Sequence, residues 1–463
     1  MTARLREAVP SCYLALCLVL GGSSSGGVLA NAALQVFGLL ILVFVALRKP
    51  LRIVQAERQL LLLGAGVVVI GLVQLVPLPP SIWVHPPGRS ATINGFALLN
   101  APLPWLPISL WPAATLSQLS AMVPPFAMAI IIFVGGSQSL RLFAWTLVAL
   151  AAASFLLGFA QLAGGRESPL YFYLVTNREQ LVGFFANSNH LATLGVVSLP
   201  LLAALTVNDG GDFTRRPLAG NIGKWAAMAC LAGFIMLGVV ADRSIAGLLL
   251  LVPSVIGSFV LLRVENARIA LPVVAGLLAA SAAIFVVIAF QSPLLNGLGS
   301  TDLGTGATSR TEIFAHTYLA IIDFFPIGSG LGSFLLVYPS YADNAAASEF
   351  YVNHAHNDYL EVLLETGLAG LCLVALFLAW WVRQAFFAWR EGGARARFAR
   401  AASIATALVM AHSLVDYPLR TTAIMVLFAA CCAIMARPLS TVTSQLFAEG
   451  AKRERGKMVI ADA

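Results

Sequence analysis

The run His354-Ala355-His356-Asn357-Asp358 puts two imidazoles, a carboxamide and a carboxylate into five residues, and Glu361 and Glu365 follow closely. An imidazole titrates near neutral pH and can take a proton from a hydroxyl. His356 is therefore a candidate general base, with His354 and Glu365 as candidates to support it or to hold substrate. A His-x-His pair near carboxylates can also bind zinc, although this spacing is not a standard zinc signature. Two histidines can equally serve packing alone.

Three further clusters stand out in a chain this poor in charge. Arg310 opens the run SRTEIF, in which Ser309 and Glu312 form a capping-box pattern that puts Arg310 in a first helical turn. A cation there is unfavourable for the helix and suits an anionic ligand. Arg243 lies in GVVADRSIAG between two apolar runs; it sits at an outer turn, faces a polar cavity, or simply pairs with Asp242. Asn187, Asn189 and His190 crowd the start of another apolar run. A helix cap explains Asn187 and Ser188, whereas Asn189 and His190 call for a further role such as substrate contact. Finally, AHSLVDYPLR carries His412, Asp416 and Arg420, where Asp416 can orient a cationic partner or merely turn the chain.

The elements that must position these groups are membrane helices. The chain has 463 residues, of which 59% are hydrophobic and only 11% charged, against about 25% charged in soluble domains. A helical span needs about 20 mostly apolar residues. That rule picks out spans near 10–28, 30–47, 60–78, 117–135, 142–163, 189–207, 224–241, 244–262, 269–291, 359–382, 401–416 and 421–436. The fold class is an all-α integral membrane protein with about 12 transmembrane helices and a large outer loop, 292–358, containing short helices. The first span can alternatively be a signal peptide, since Arg4 and Arg6 precede it and Val28-Leu29-Ala30 resembles a cleavage site.

Most of the 28 lysines and arginines fall on one side of this arrangement; Arg89, Arg166, Arg178, Arg243, Arg310 and Arg420 fall on the other. The positive-inside rule then puts both termini in the cytoplasm and the candidate residues on one outer face. The same rule, with attraction to anionic membrane lipids, accounts for the basic loops, so the net charge of +7 implies no nucleic acid. Three parts follow: 1–180, N-terminal helices with a Pro/Trp-rich outer loop at 79–115; 181–436, a transmembrane core; and 437–463, a basic cytoplasmic tail. The six cysteines lie in apolar runs and read as small buried hydrophobes. On the helix after Asn357, Asp358, Glu361 and Glu365 share one face. On the helix after Arg310, Ile313, Leu319, Ala320 and Phe324 form an apolar face.

Taken together, FFANSNHLA, the Arg243 turn, SRTEIF, PIGSGLGSF, HAHNDYLEVLLETGLAG and HSLVDYPLR resemble the O-antigen ligase and O-antigen polymerase superfamily of bacterial envelope glycosyltransferases, over roughly residues 180–420. Asp242-Arg243-Ser244 stands where many relatives have Ser-Arg-Gly, so the arginine carries over while its neighbours in the turn differ. The resemblance implies an enzyme of the bacterial inner membrane with its active face in the periplasm. Its donor is a glycan on undecaprenyl pyrophosphate. Its acceptor is a sugar hydroxyl, on lipid A-core for a ligase or on another lipid-linked glycan for a polymerase. It implies no cofactor and no required metal. In that setting Arg243 and Arg310 would clamp the pyrophosphate and His356 would be the base, with Asn187, Asn189, His190, His354, Asn357, Glu365 and Asp416 around the substrates. A multi-span lipid or polysaccharide transporter is the alternative, but a transporter places ionisable groups at mid-membrane in broken helices.

Overall fold

A computed structural model describes residues 3–25, 28–47, 53–206, 222–265, 310–342, 352–391 and 393–437. The expected span at 269–291, Ser309 of the capping box and the tail at 438–463 lie outside the described residues. Within them the secondary structure is helical, with a single isolated bridge between Leu78 and Leu106. The main helices are α1 (Ala3–Leu20), α2 (Leu29–Ala46), α3 (Gln55–Gln74), α4 (Pro80–Trp83), α5 (Ser90–Leu98), α6 (Pro112–Ala121), α7 (Val123–Val134) and α8 (Ser137–Ala163). After these come α9 (Ser188–Thr206), α10 (Ile222–Ala241), α11 (Ile245–Glu265), α12 (Arg310–Phe324), α13 (Phe334–Val337), α14 (Asp358–Arg390), α15 (Ala394–His412) and α16 (Thr422–Ala436). Among the described residues eight segments are long and apolar enough to cross a membrane, the α6–α7 pair counting as one. The chain is a multi-pass membrane protein.

The bundle is built around α9, whose spanning window is 94% buried. It packs on α8, α10, α11 and α15. Small residues permit that closeness: the Phe155 ring fills the space where a Cβ on Gly195 or Gly238 would stand. Ser254 Oγ of α11 donates to the Val196 carbonyl of α9 at 2.6 Å.

The feature that shapes the site is a break in α14. Asn357 caps this helix, its Oδ1 accepting from the N–H of Tyr359 and Leu360, as the sequence leads one to expect. At Gly367 the backbone turns to φ 57°, ψ −141°, conformations that only glycine adopts at low cost. A broken helix leaves carbonyls that must find partners when water is scarce. The segment 326–332 supplies them. Ser329 N–H donates to the Leu364 carbonyl and Gly330 N–H to that of Glu365, both at 2.9 Å, and Leu368 N–H donates to the Pro326 carbonyl at 2.8 Å. Gly328 has φ +87°, and a Cβ there would lie 2.6 Å from the Glu365 oxygen. The glycine run PIGSGLGSF is thus a plug for a helix break. Gln74 at the end of α3 clamps the joint: its Nε2 donates to the Glu365 carbonyl at 2.8 Å, and its Oε1 accepts from Leu331 N–H at 3.0 Å.

Two local expectations need correction. On α12, Ile313, Ala320 and Phe324 are buried as expected, but Leu319 is 52% exposed, because the helix offers only a narrow stripe to the core. Cys17, Cys431 and Cys432 are buried, yet Cys12, Cys230 and Cys372 are exposed on helix surfaces. An apolar run does not say which of its positions faces the bundle interior. In the Pro/Trp-rich stretch Trp83 is buried and donates from Nε1 to the Pro104 carbonyl at 2.8 Å, whereas Trp105 and Trp111 are exposed.

Candidate active site

Helix ends at one end of the bundle bring the sequence clusters together: the start of α9, the α10–α11 turn, the starts of α12 and α14, and the α15–α16 hinge. The carboxylate of Asp416 is the centre. It is fully buried. Its Oδ1 faces His356 Nδ1 at 3.2 Å and accepts from Tyr417 N–H at 3.0 Å. Its Oδ2 accepts from Asn189 Nδ2 at 2.6 Å and lies 3.8 Å from His412 Nε2. Burial alone would push this carboxyl up. The hydrogen bond to His356 and the charges of His190, His412 and His356 outweigh it and hold Asp416 well below the usual carboxylate range.

The network reaches the Arg243 turn through Asn189, whose Oδ1 accepts from Ser244 Oγ at 2.7 Å. Ser244 Oγ in turn accepts from Gly247 N–H at 3.0 Å and caps α11. Arg243 itself is exposed with φ +60°. His356 has φ +50°. Left-handed backbone at a non-glycine residue costs about 1–3 kcal/mol and persists only where the surroundings impose it. Around His356 they do: Ala355 N–H donates to Glu361 Oε2 and Asp358 N–H to the Ser413 carbonyl, each at 2.9 Å. Of the three readings of Arg243, the pair with Asp242 does not form. Both Asp242 oxygens are buried without a partner, and burial raises this carboxyl well above its ordinary range. Arg310 is exposed at the first described turn of α12.

A second node lies behind His354. Its Nδ1 meets Glu361 Oε1 at 2.9 Å. Arg420 then gathers the shared acidic face of α14: Asp358 at 3.5 Å, Glu361 at 3.5 Å and Glu365 at 3.2 Å. Burial disfavours the Arg420 charge, but the three carboxylates more than compensate and hold it above the ordinary arginine range. This node pins the stretch before His356 to the α15–α16 hinge.

The other candidate residues divide by what holds them. Asn187 caps α9, its Oδ1 accepting from Asn189 N–H at 2.9 Å, and its Nδ2 donates to Tyr417 OH at 3.4 Å. Asn357 Nδ2 donates to the Leu414 carbonyl at 2.8 Å. Glu365 is buried against Arg420. His190 is 1% exposed, and neither ring nitrogen has a hydrogen-bond partner. Side-chain exposure at the His356–Asp416 pair is 22% and 0%, so the imidazole is the member open to a substrate. Sequence reasoning missed Thr193, whose Oγ1 meets His412 Nδ1 at 2.6 Å, and Tyr417, around which three of the histidines stand.

Residues 226–375 match the Wzy_C family model, O-antigen ligase. The match spans Arg243, Arg310, His354, His356 and the first half of α14, and it supports the O-antigen ligase and polymerase superfamily. It therefore supports ligase- or polymerase-type function in general. No curated protein matches the chain. Asn189, Asp416 and Arg420 lie outside the matched stretch, but the hydrogen bonds and ion pairs above join them to residues within it. Among the described residues no group of three or more His, Cys, Asp or Glu is arranged to hold a metal ion.

An apolar crevice of about 370 Å³ runs between α3, α7, α14 and α16, lined by residues such as Leu63, Val67, Phe126, Val374 and Phe428. Asp358, Ser413 and Arg420 also line it, so it meets the second node. Arg243, Arg310 and His356 do not line it.

Proposed function

We propose that this chain is an inner-membrane glycosyltransferase that moves a glycan from undecaprenyl pyrophosphate to an acceptor sugar hydroxyl at the periplasmic face. The observation that carries this reading is the His356–Asp416 pair at 3.2 Å, joined through Asn189 and Ser244 to the Arg243 turn. An ionised Asp416 accepts from His356 Nδ1–H. The tautomer then leaves Nε2 with a free lone pair, and among the described residues Nε2 makes no hydrogen bond. Such a nitrogen takes the acceptor hydroxyl's proton as the oxygen attacks the anomeric carbon. The glycosidic C–O bond to pyrophosphate breaks, and its electron pair stays on the leaving diphosphate. Attack opposite that group inverts the anomeric carbon.

The pyrophosphate gains a negative charge as the C–O bond breaks and needs cations with charge to spare. Arg420 is committed to three carboxylates, whereas Arg243 and Arg310 are exposed and, among the described residues, make no ion pair. Charge-assisted, bidentate bonds from two arginines suit a pyrophosphate. The apolar crevice adjoining Asp358 and Arg420 supports a donor with a long isoprenoid chain. The acceptor is lipid A-core in the ligase reading. A gene deletion tests it: loss of this chain is expected to leave full-length glycan stranded on undecaprenyl pyrophosphate. Accumulation of single repeats that still reach the acceptor would make the chain a polymerase instead. With purified protein, transfer is expected to persist in excess EDTA. Arrest by EDTA and recovery with zinc would assign His354 and His356 to a metal.

A further inference from the structure

We propose that Tyr417 is the positioning residue that fixes the His356 ring against Asp416; this rests on the reading of His356 as the base. His356 lies in 352–357, a stretch without regular structure, and its hydrogen bond to Asp416 fixes one ring nitrogen only. A single bond of that kind leaves the ring free to rock about it. The ring of Tyr417 removes the freedom. Its centroid is 4.8 Å from that of His356 with the planes at 73°, an edge-to-face contact. The same ring lies 4.4 Å from His354 and 5.2 Å from His190, the latter at 84°. Tyr417 is therefore a wall shared by three imidazoles drawn from two separate parts of the chain.

The wall is itself fixed. Tyr417 is 5% exposed. Its hydroxyl accepts from Asn187 Nδ2 at 3.4 Å and from Asn353 Nδ2 at 3.3 Å, tying it to the cap of α9 and to the segment that carries His356. Its backbone N–H donates to Asp416 Oδ1, the same oxygen that faces His356. One residue thus sets both members of the pair: the main chain orients the carboxylate and the ring orients the imidazole. Burial, followed by the Asp416 charge, pushes the phenol up to about 12, so it stays neutral and does not compete for the proton. A displacement of about 1 Å in a reacting group costs about 10²-fold in rate, which sets the expected scale.

The test is a double-mutant cycle between Tyr417 and His356 in purified, folded protein. Tyr417→Leu is expected to lower kcat about 100-fold with the donor KM unchanged. Tyr417→Phe keeps the ring and is expected to restore most of the rate. In the His356→Gln background, Tyr417→Leu is expected to change the residual rate little, because two residues that act as a unit are not additive. An equal loss in both backgrounds means that the ring supports packing alone; the proposal then fails while the base reading stands. A wild-type rate for His356→Gln removes the base reading and this proposal together. If Tyr417→Leu does not accumulate in the membrane, Tyr417→Met carries the same cycle with the same outcomes.

Discussion

Arg310→Ala and Arg243→Ala are each expected to cut glycan transfer by about 10³-fold, the scale for removing a group that stabilises charge only as it develops. Both side chains are exposed at helix-end turns. Neither makes an ion pair among the described residues, so truncation leaves no buried carboxylate orphaned. Exposed substitutions of this kind change stability by about 0.5 kcal/mol or less, and folded protein is expected in the membrane at normal levels. The contrast with Arg420 sharpens the prediction. Removing Arg420 strands three buried carboxylates, a far more disruptive change, and its loss of activity would report on folding. Lysine at 243 or 310 is expected to recover only part of the rate, since an ammonium lacks the planar fork that grips two phosphate oxygens. Transfer at the wild-type rate in both alanine variants would remove the pyrophosphate clamp.

Asp416→Asn is expected to lower kcat by about 10²–10⁴-fold, the range for losing general-base assistance. An asparagine can still accept from His356, but it brings no negative charge to hold the imidazolium. Its own N–H groups also confront the Asn189 amide, which donates to Asp416 Oδ2 in the native protein. The effect on stability has a definite sign. The Asp416 carboxyl is held below its ordinary range in the folded protein. Its contribution is thus present above the unfolded carboxylate value, near pH 4, and is lost as pH falls through the folded value. The melting temperature of Asp416→Asn is therefore expected to lie below wild type at neutral pH and to approach it below about pH 4. A constant gap across that range would mean that the carboxylate is not the stabilising partner.

What could be read from the sequence was mostly local. The Asn357 cap and the common face of Asp358, Glu361 and Glu365 follow from helical periodicity over a few residues, and all three acids are buried on that face. The turns at Asp242–Ser244 and after His412 follow from short polar gaps in apolar runs. What joins them is not local. Arg420 answers the acidic face from 55 to 62 positions further along the chain, and no spacing rule identifies it as the partner. The break at Gly367 sits in an apolar stretch that reads as continuous helix. The purpose of the glycines at 328 and 330 appears only when the segment lies against the freed carbonyls of Leu364 and Glu365. Tyr417 escaped notice because a tyrosine beside a proline suggests a turn, whereas its work is done by a ring facing residues 61 and 227 positions away.

The most direct test of the account is His356→Gln, assayed for donor binding and for transfer in purified protein with a defined undecaprenyl-pyrophosphate glycan and acceptor. Glutamine keeps a hydrogen-bonding side chain near Asp416 but has no basic nitrogen. Expression is expected to be normal, donor binding within a few-fold of wild type and the single-turnover transfer rate lower by about 10²–10⁴-fold. Transfer by His356→Gln at the wild-type rate would contradict the account.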